Sequence, residues 1–350
     1  MGYKAEFLHK NNFNFLRLLG ACLVIFSHCY DVTGKSEDEP VNNLLQGKLE
    51  ASGIGLCIFF FISGYFVFKS ASESEGIFFF VKKRIFRIYP ALIILVFLTV
   101  FVIGPLFSQL NIFNYFNEND TWKYFYTVSG IRIRFALPGV FTNPGFFTPG
   151  VNASLWTISW EIILYFFLAL LIPLNFFKAK KVLLFLALVI SVACFATAIF
   201  YHGLNFFYNK YLNITGIFFL GSFIYAASCS KKQITILFCV SLLFFLVTTV
   251  LRIPFIKNEI ALFISICTAT YLVGFSKKLK LWLIHDISYG LYIIAFPIQQ
   301  IIFKLTNYNS SIFVQLTCTF LVSMPIAYLS WKFIEHPFIQ LAHQKSKKLH

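Results

Sequence analysis

Long apolar runs, broken by short polar and basic segments, set the rhythm of this chain. A helix needs roughly 17–25 apolar residues to cross the hydrocarbon core of a bilayer. Ten such runs occur, at about 13–30, 54–70, 89–107, 154–174, 182–200, 212–228, 234–251, 259–275, 287–303 and 311–331. The pattern predicts an all-α protein, a polytopic transmembrane bundle of about ten spans. The run at 54–70 is short. Pro297 and Pro325 fall inside the last two runs, where a lipid-embedded helix tolerates a kink. No small-residue cleavage site follows the first run, which is therefore expected to stay as a span. Residues 108–153 form the longest less apolar stretch, rich in Phe, Tyr, Asn and Gly and including Pro138, Pro144 and Pro149. A loop of that length is commonly functional, as a lid for example; the alternative is a passive aromatic layer at the membrane interface. One membrane-embedded domain is expected over 1–340, with a basic tail at 341–350.

Composition supports this picture. Apolar residues make up 58% of the 350, and charged residues only 12%, about half of what a soluble domain carries. A soluble fold could not hide 47 phenylalanines; lipid removes the need to. The net charge of +15 does not point to nucleic acid, because the basic residues sit in short clusters between apolar runs, as at an anionic membrane face. With the N-terminus cytoplasmic, 20 of the 29 lysines and arginines fall on the inside, which places both ends in the cytoplasm. The first outside loop is acidic instead, with Asp31, Glu37, Asp38, Glu39 and Glu50. The eight cysteines are scattered without metal-ligand spacing, so no metal is expected.

Ionisable residues inside spans are costly and are the first candidates for chemistry. Arg17 and His28 lie in the first run. Eleven helical steps rotate by about 1100°, so the two side chains point within roughly 20° of each other, ~16 Å apart along the axis. One face thus carries a cation near the cytoplasm and an imidazole towards the outer leaflet. Glu161, in the fourth run, lies at a depth similar to that of His28. A carboxylate beside an imidazole is a standard way to make a general base; a structural pairing of Glu161 with another helix is the alternative. In Val81-Lys82-Lys83-Arg84-Ile85-Phe86-Arg87-Ile88-Tyr89-Pro90, Lys83 and Arg87, and Arg84 and Arg87, can share a helical face. Such a face matches phosphate oxygens, although basic residues at a cytoplasmic helix end are also common. Pro90 suits the start of the third span.

Together these pieces resemble the acyltransferase-3 family of bacterial integral membrane acyltransferases. Arg17 and His28 are similar to its arginine–ten–histidine signature, and Ile58-Phe59-Phe60-Phe61-Ile62-Ser63-Gly64-Tyr65 to its Phe-Phe-x-Ile-Ser-Gly-Tyr run. Arg84-Ile85-Phe86-Arg87-Ile88-Tyr89-Pro90 resembles its Arg-x-x-Arg-Ile-x-Pro, and Leu155-Trp156-Thr157-Ile158-Ser159-Trp160-Glu161 its Leu-Trp-(Ser/Thr)-Leu-x-x-Glu. Ser288-Tyr289-Gly290-Leu291-Tyr292 and Phe333-Ile334-Glu335-His336-Pro337 fit as well. Asn14 and Leu18 depart from it, standing where aspartate and glycine are common. The resemblance implies transfer of an acyl group, often acetyl, from cytoplasmic coenzyme A to a hydroxyl of an envelope glycan such as O-antigen, a lipopolysaccharide component. It places the protein in the bacterial inner membrane, with lipid, acetyl-CoA and a glycan acceptor as its partners. It also implies that His28 belongs to the catalytic centre and that Arg17, Arg84 and Arg87 serve the donor, with Lys83 beside them. Many relatives carry a hydrolase-like domain after the spans; here the membrane domain is expected to acylate the acceptor itself or with a partner protein. General-base action of His28 and a covalent acyl-histidine both stay open. A proton-coupled transporter or exporter of a glycan or small acid is the rival reading.

Overall fold

A computed structural model describes residues 11–142, 150–174, 180–200, 206–252 and 258–344. Lys178, two of the loop prolines (Pro144 and Pro149) and most of the basic tail lie outside these residues. The described chain is helical and forms no strand. Its long helices are α1 (Phe13–Val32), α2 (Ala51–Ser72), α3 (Ile77–Leu98), α4 (Trp156–Leu171), α5 (Lys180–Phe200), α6 (Phe206–Ala227), α7 (Lys231–Val250), α8 (Glu259–Gly274), α9 (Ser288–Leu305) and α10 (Ile312–Ser330). Each falls on one of the ten predicted runs. Seven helical stretches among the described residues are long and apolar enough to cross a membrane. One prediction is corrected: α3 begins at Ile77, so Pro90 lies in its interior and Lys83, Arg84 and Arg87 ride on the helix. The apolar run alone concealed this, because the helix continues back through its own cationic turn.

Two compact units interleave along the sequence. The first takes residues 1–22, 53–69 and 180–286. Small residues let its helices meet backbone to backbone. A Cβ on Gly64 would fall 1.9 Å from the Phe218 carbonyl oxygen, and one on Gly221 would fall 2.5 Å from that of Phe61. Ser222 donates across the same contact to the Gly64 carbonyl at 3.1 Å. This is the small-residue packing that membrane helices use. Between α7 and α8, the Ser241 and Ser265 hydroxyls pair at 2.9 Å. At the start of α1, Asn12 donates to the carbonyls of Val273 and Ser276 and accepts from the Leu281 N–H, fixing the turn that follows α8.

The second unit takes residues 23–52, 70–179 and 287–350. Its axis is α9, buried along most of its length. Pro297 has no N–H for the Ile293 carbonyl, and the Asn152 side chain fills that place at 2.7 Å. Two π-turns, Thr99–Ile103 and Trp331–Glu335, sit just ahead of Pro105 and Pro337. A proline ring crowds the carbonyl four residues back, here that of Phe101 and that of Phe333, and widening the helix relieves the clash. At the first π-turn, Tyr115 donates to the Val100 carbonyl at 3.0 Å. Gly104 leaves room for that phenol, since a Cβ there would sit 1.9 Å from its oxygen. The segment after α3 is ordered by short helices, Ile112–Asn117 and Asn119–Lys123, and a 3-10 stretch, Tyr124–Ser129.

Candidate active site

The second unit gathers most of the candidate residues around α9. On α3, Arg84 and Arg87 lie two to three turns from the helix start, about 10–15 Å along the axis. Each has an acidic neighbour from elsewhere in the fold. Arg84 donates to Ser70 Oγ at 3.4 Å and lies 5.5 Å over the Tyr165 ring and 5.6 Å over that of Phe80. Tyr165 in turn donates a short hydrogen bond to Glu161, one turn back on α4, and that carboxylate is within electrostatic reach of Arg84. The Arg84 Nε is buried and has no hydrogen-bond partner. Arg87 lies 3.9 Å from Glu335 and 5.8 Å over the ring of Tyr289. Glu335 is 1% exposed and accepts from Ser330 Oγ at 3.1 Å. Lys83 is partly buried on the same helix.

α9 continues from this cluster. Tyr289 donates to the Ile88 carbonyl on α3 at 2.9 Å. Tyr292, a turn further on, pairs with Thr157 at 2.7 Å and donates to the Ser154 carbonyl at 3.1 Å. Another turn on, Phe296 meets His28 edge-on, with ring centroids 5.1 Å apart and planes at 87°. Seven residues separate Tyr289 from Phe296, about 10 Å along the axis. One face of α9 therefore runs from the arginine cluster to the imidazole. Glu161 lies with Tyr165 and Arg84, and Tyr292 on α9 is also within its electrostatic reach. In the first unit, Arg17 forms an ion pair with Asp286 at 3.2 Å.

The sequence did not single out Ser70, Asp286 or Gln299, because nothing local marks them, and Tyr289 and Tyr292 were visible only as part of a motif. Glu335 was visible only as part of a motif; its pairing with Arg87 depends on the π-turn before Pro337.

A family model described as an acyltransferase domain, acyltransferase 3, matches residues 10–332. The chain belongs to the acyltransferase-3 family. It is a membrane acyltransferase, and the reaction requires an acyl donor. It is 30% identical to an O-acetyl transferase of Shigella phage Sf6, over 97% of this chain and 99% of that one. It is 27% identical to nodulation protein 10 of Rhizobium leguminosarum bv. viciae, over 95% of this chain and 94% of that one. No solved structure matches the acyltransferase. The matched residues include Arg84, Arg87 and Glu161, which lie with Glu335 in one cluster beside α9.

Proposed function

We propose that this acyltransferase moves an acetyl group from cytoplasmic acetyl-CoA to a hydroxyl of an envelope glycan, such as O-antigen, at the bacterial inner membrane. In this reading the chain crosses the membrane about ten times with both ends inside, and His28 is the general base. The observation that carries it is the α9 face, with a cationic cluster at one end and His28 at the other. The curated relative called an O-acetyl transferase supports the choice of acetyl.

Coenzyme A has an anionic, phosphate-bearing head and a thin arm ending in the thioester. Arg84 and Arg87 would hold phosphate oxygens through charge-assisted hydrogen bonds, with Lys83 adding charge. The unsatisfied Arg84 Nε is a donor still available for an anion. Glu161 and Glu335 hold the two guanidiniums in place and offset their charge while no donor is bound. Arg17, eleven residues before His28 on α1, would contribute to donor binding from its pair with Asp286. At the other end, His28 takes the proton of the acceptor hydroxyl as its oxygen attacks the thioester carbonyl. The C–S bond then breaks, and the leaving thiolate takes up the proton from the imidazolium. General-base catalysis of this kind contributes about 10²–10⁴ in rate.

Arg84→Ala and Arg87→Ala test the donor end. Each is expected to raise the KM for acetyl-CoA by on the order of 10-fold, the size of a lost hydrogen bond to a charged group, in membranes given radiolabelled donor. Unchanged KM in both variants would remove the arginines from the donor site. Mass spectrometry of the surface glycan should show a 42 Da acetyl difference (roughly the added C2H2O) that depends on the gene and, in vitro, on acetyl-CoA. Movement of an unmodified glycan or acid without acetyl-CoA would favour transport instead.

A further inference from the structure

We propose that Gln299 is a positioning residue for His28, holding through its side-chain amide the turn of α1 that carries the imidazole. The inference rests on His28 being the base and adds the group that places it.

Gln299 is fully buried on α9. Its Nε2 donates to the Ile25 carbonyl at 2.8 Å and to Cys29 Sγ at 3.1 Å. Those acceptors belong to residues three before and one after His28 on α1. In a regular helix the Ile25 carbonyl also receives the N–H of Cys29, so Gln299 adds a second donor at the turn where His28 sits. Phe296, three residues earlier on the same face of α9, meets the imidazole ring itself. One helix thus touches both the ring and the backbone turn beneath it. Gln299 is anchored in its turn, because its backbone carbonyl accepts from Gln315 Nε2 at 2.7 Å, and Gln315 Oε1 accepts from Ser310 at 2.9 Å.

The chemistry of the side chain says why it is an amide. Gln299 Oε1 is buried with no hydrogen-bond partner, a costly arrangement that folded proteins rarely keep. Methionine or leucine would fill the same space without an orphaned oxygen. What the amide offers that they cannot is its N–H pair. The orientation of the amide follows from the Ile25 carbonyl, which can only accept.

The test compares Gln299→Met, close in volume, with Gln315→Met, which removes only the anchor from α10. Transfer from radiolabelled acetyl-CoA to endogenous glycan is followed in inverted membrane vesicles across pH and donor concentration. Gln299→Met is expected to lower kcat on the order of 10- to 100-fold through misplacement of the base. The KM for acetyl-CoA should stay within about 2-fold, because the arginine end is untouched, and the acidic limb of the pH profile should shift. Gln315→Met should lower the thermal midpoint and leave that limb in place. Should Gln299→Met fail to accumulate, Gln299→Leu removes the same donors without adding a polar atom, and the same losses are expected. Wild-type kcat and an unshifted limb in whichever Gln299 variant accumulates, with His28→Ala inactive, would overturn this inference and leave the base assignment standing. An equal shift in Gln315→Met would overturn it too, as general packing. A fully active His28→Ala would instead remove the assignment on which it rests.

Discussion

Two helices of similar length, α7 and α9, use their side chains in opposite ways. α7 buries four of its twenty residues, Ile234, Ser241, Phe245 and Thr248, and exposes Val240, Leu243, Phe244 and Leu246. α9 buries thirteen of its eighteen, among them Tyr292, Gln299 and Gln300. α7 thus turns most of its apolar side chains outward, where lipid accepts such surface freely. The helix that carries glutamines and tyrosines is turned inward, where each polar group needs a partner. Gln300 donates to the Gly150 carbonyl at 3.0 Å, and Tyr292 and Gln299 have the partners described above.

If that contrast holds, substitutions on α9 should be costly and those on the outer face of α7 nearly silent. The largest effect is expected for Gly290→Val. Even a lone Cβ at Gly290 would sit 2.7 Å from the Glu335 carboxylate and 3.4 Å from the Ala327 carbonyl. Overpacking here should cost about 3 kcal/mol or more, read as a collapse in monodisperse protein recovered from detergent. Near wild-type recovery would show that α9 is less tightly held than its burial implies. Asn152→Ala comes next. It orphans the Ile293 carbonyl that Pro297 leaves free, at a cost of about 1–3 kcal/mol, seen as a lower thermal midpoint. Asn152→Leu, close in volume, should not restore that midpoint, because it has no donor for the Ile293 carbonyl. The smallest effect belongs to Leu243→Ala on α7, within about 0.5 kcal/mol; a loss as large as that of Asn152→Ala would break the comparison.

The ten helices were legible because long apolar runs announce them, and all ten overlap their runs; the largest departures are at the two ends of α3 and the start of α6. At its start α3 runs on through Lys82, Lys83, Arg84 and Arg87, and apolar length cannot register cations that helical neighbours and acidic partners accommodate. His28 and Arg17 were visible as costly residues on one stripe. Glu161 was visible too, but its neighbours were not, since the pairings with Tyr165 and Arg84 depend on how α3 and α4 pack. Gln299 was the hardest to see. A glutamine inside an apolar run carries no local signal, and its role comes only from the turn of α1 that it meets.

In the proposed mechanism His28 is the base at the end of the α9 face. The most direct measurement is acetyl transfer by His28→Ala in membranes, at saturating acetyl-CoA and alongside wild type of equal abundance. A loss of about 10²–10⁴ in rate with unchanged donor KM is the predicted result; transfer at the wild-type rate would contradict it.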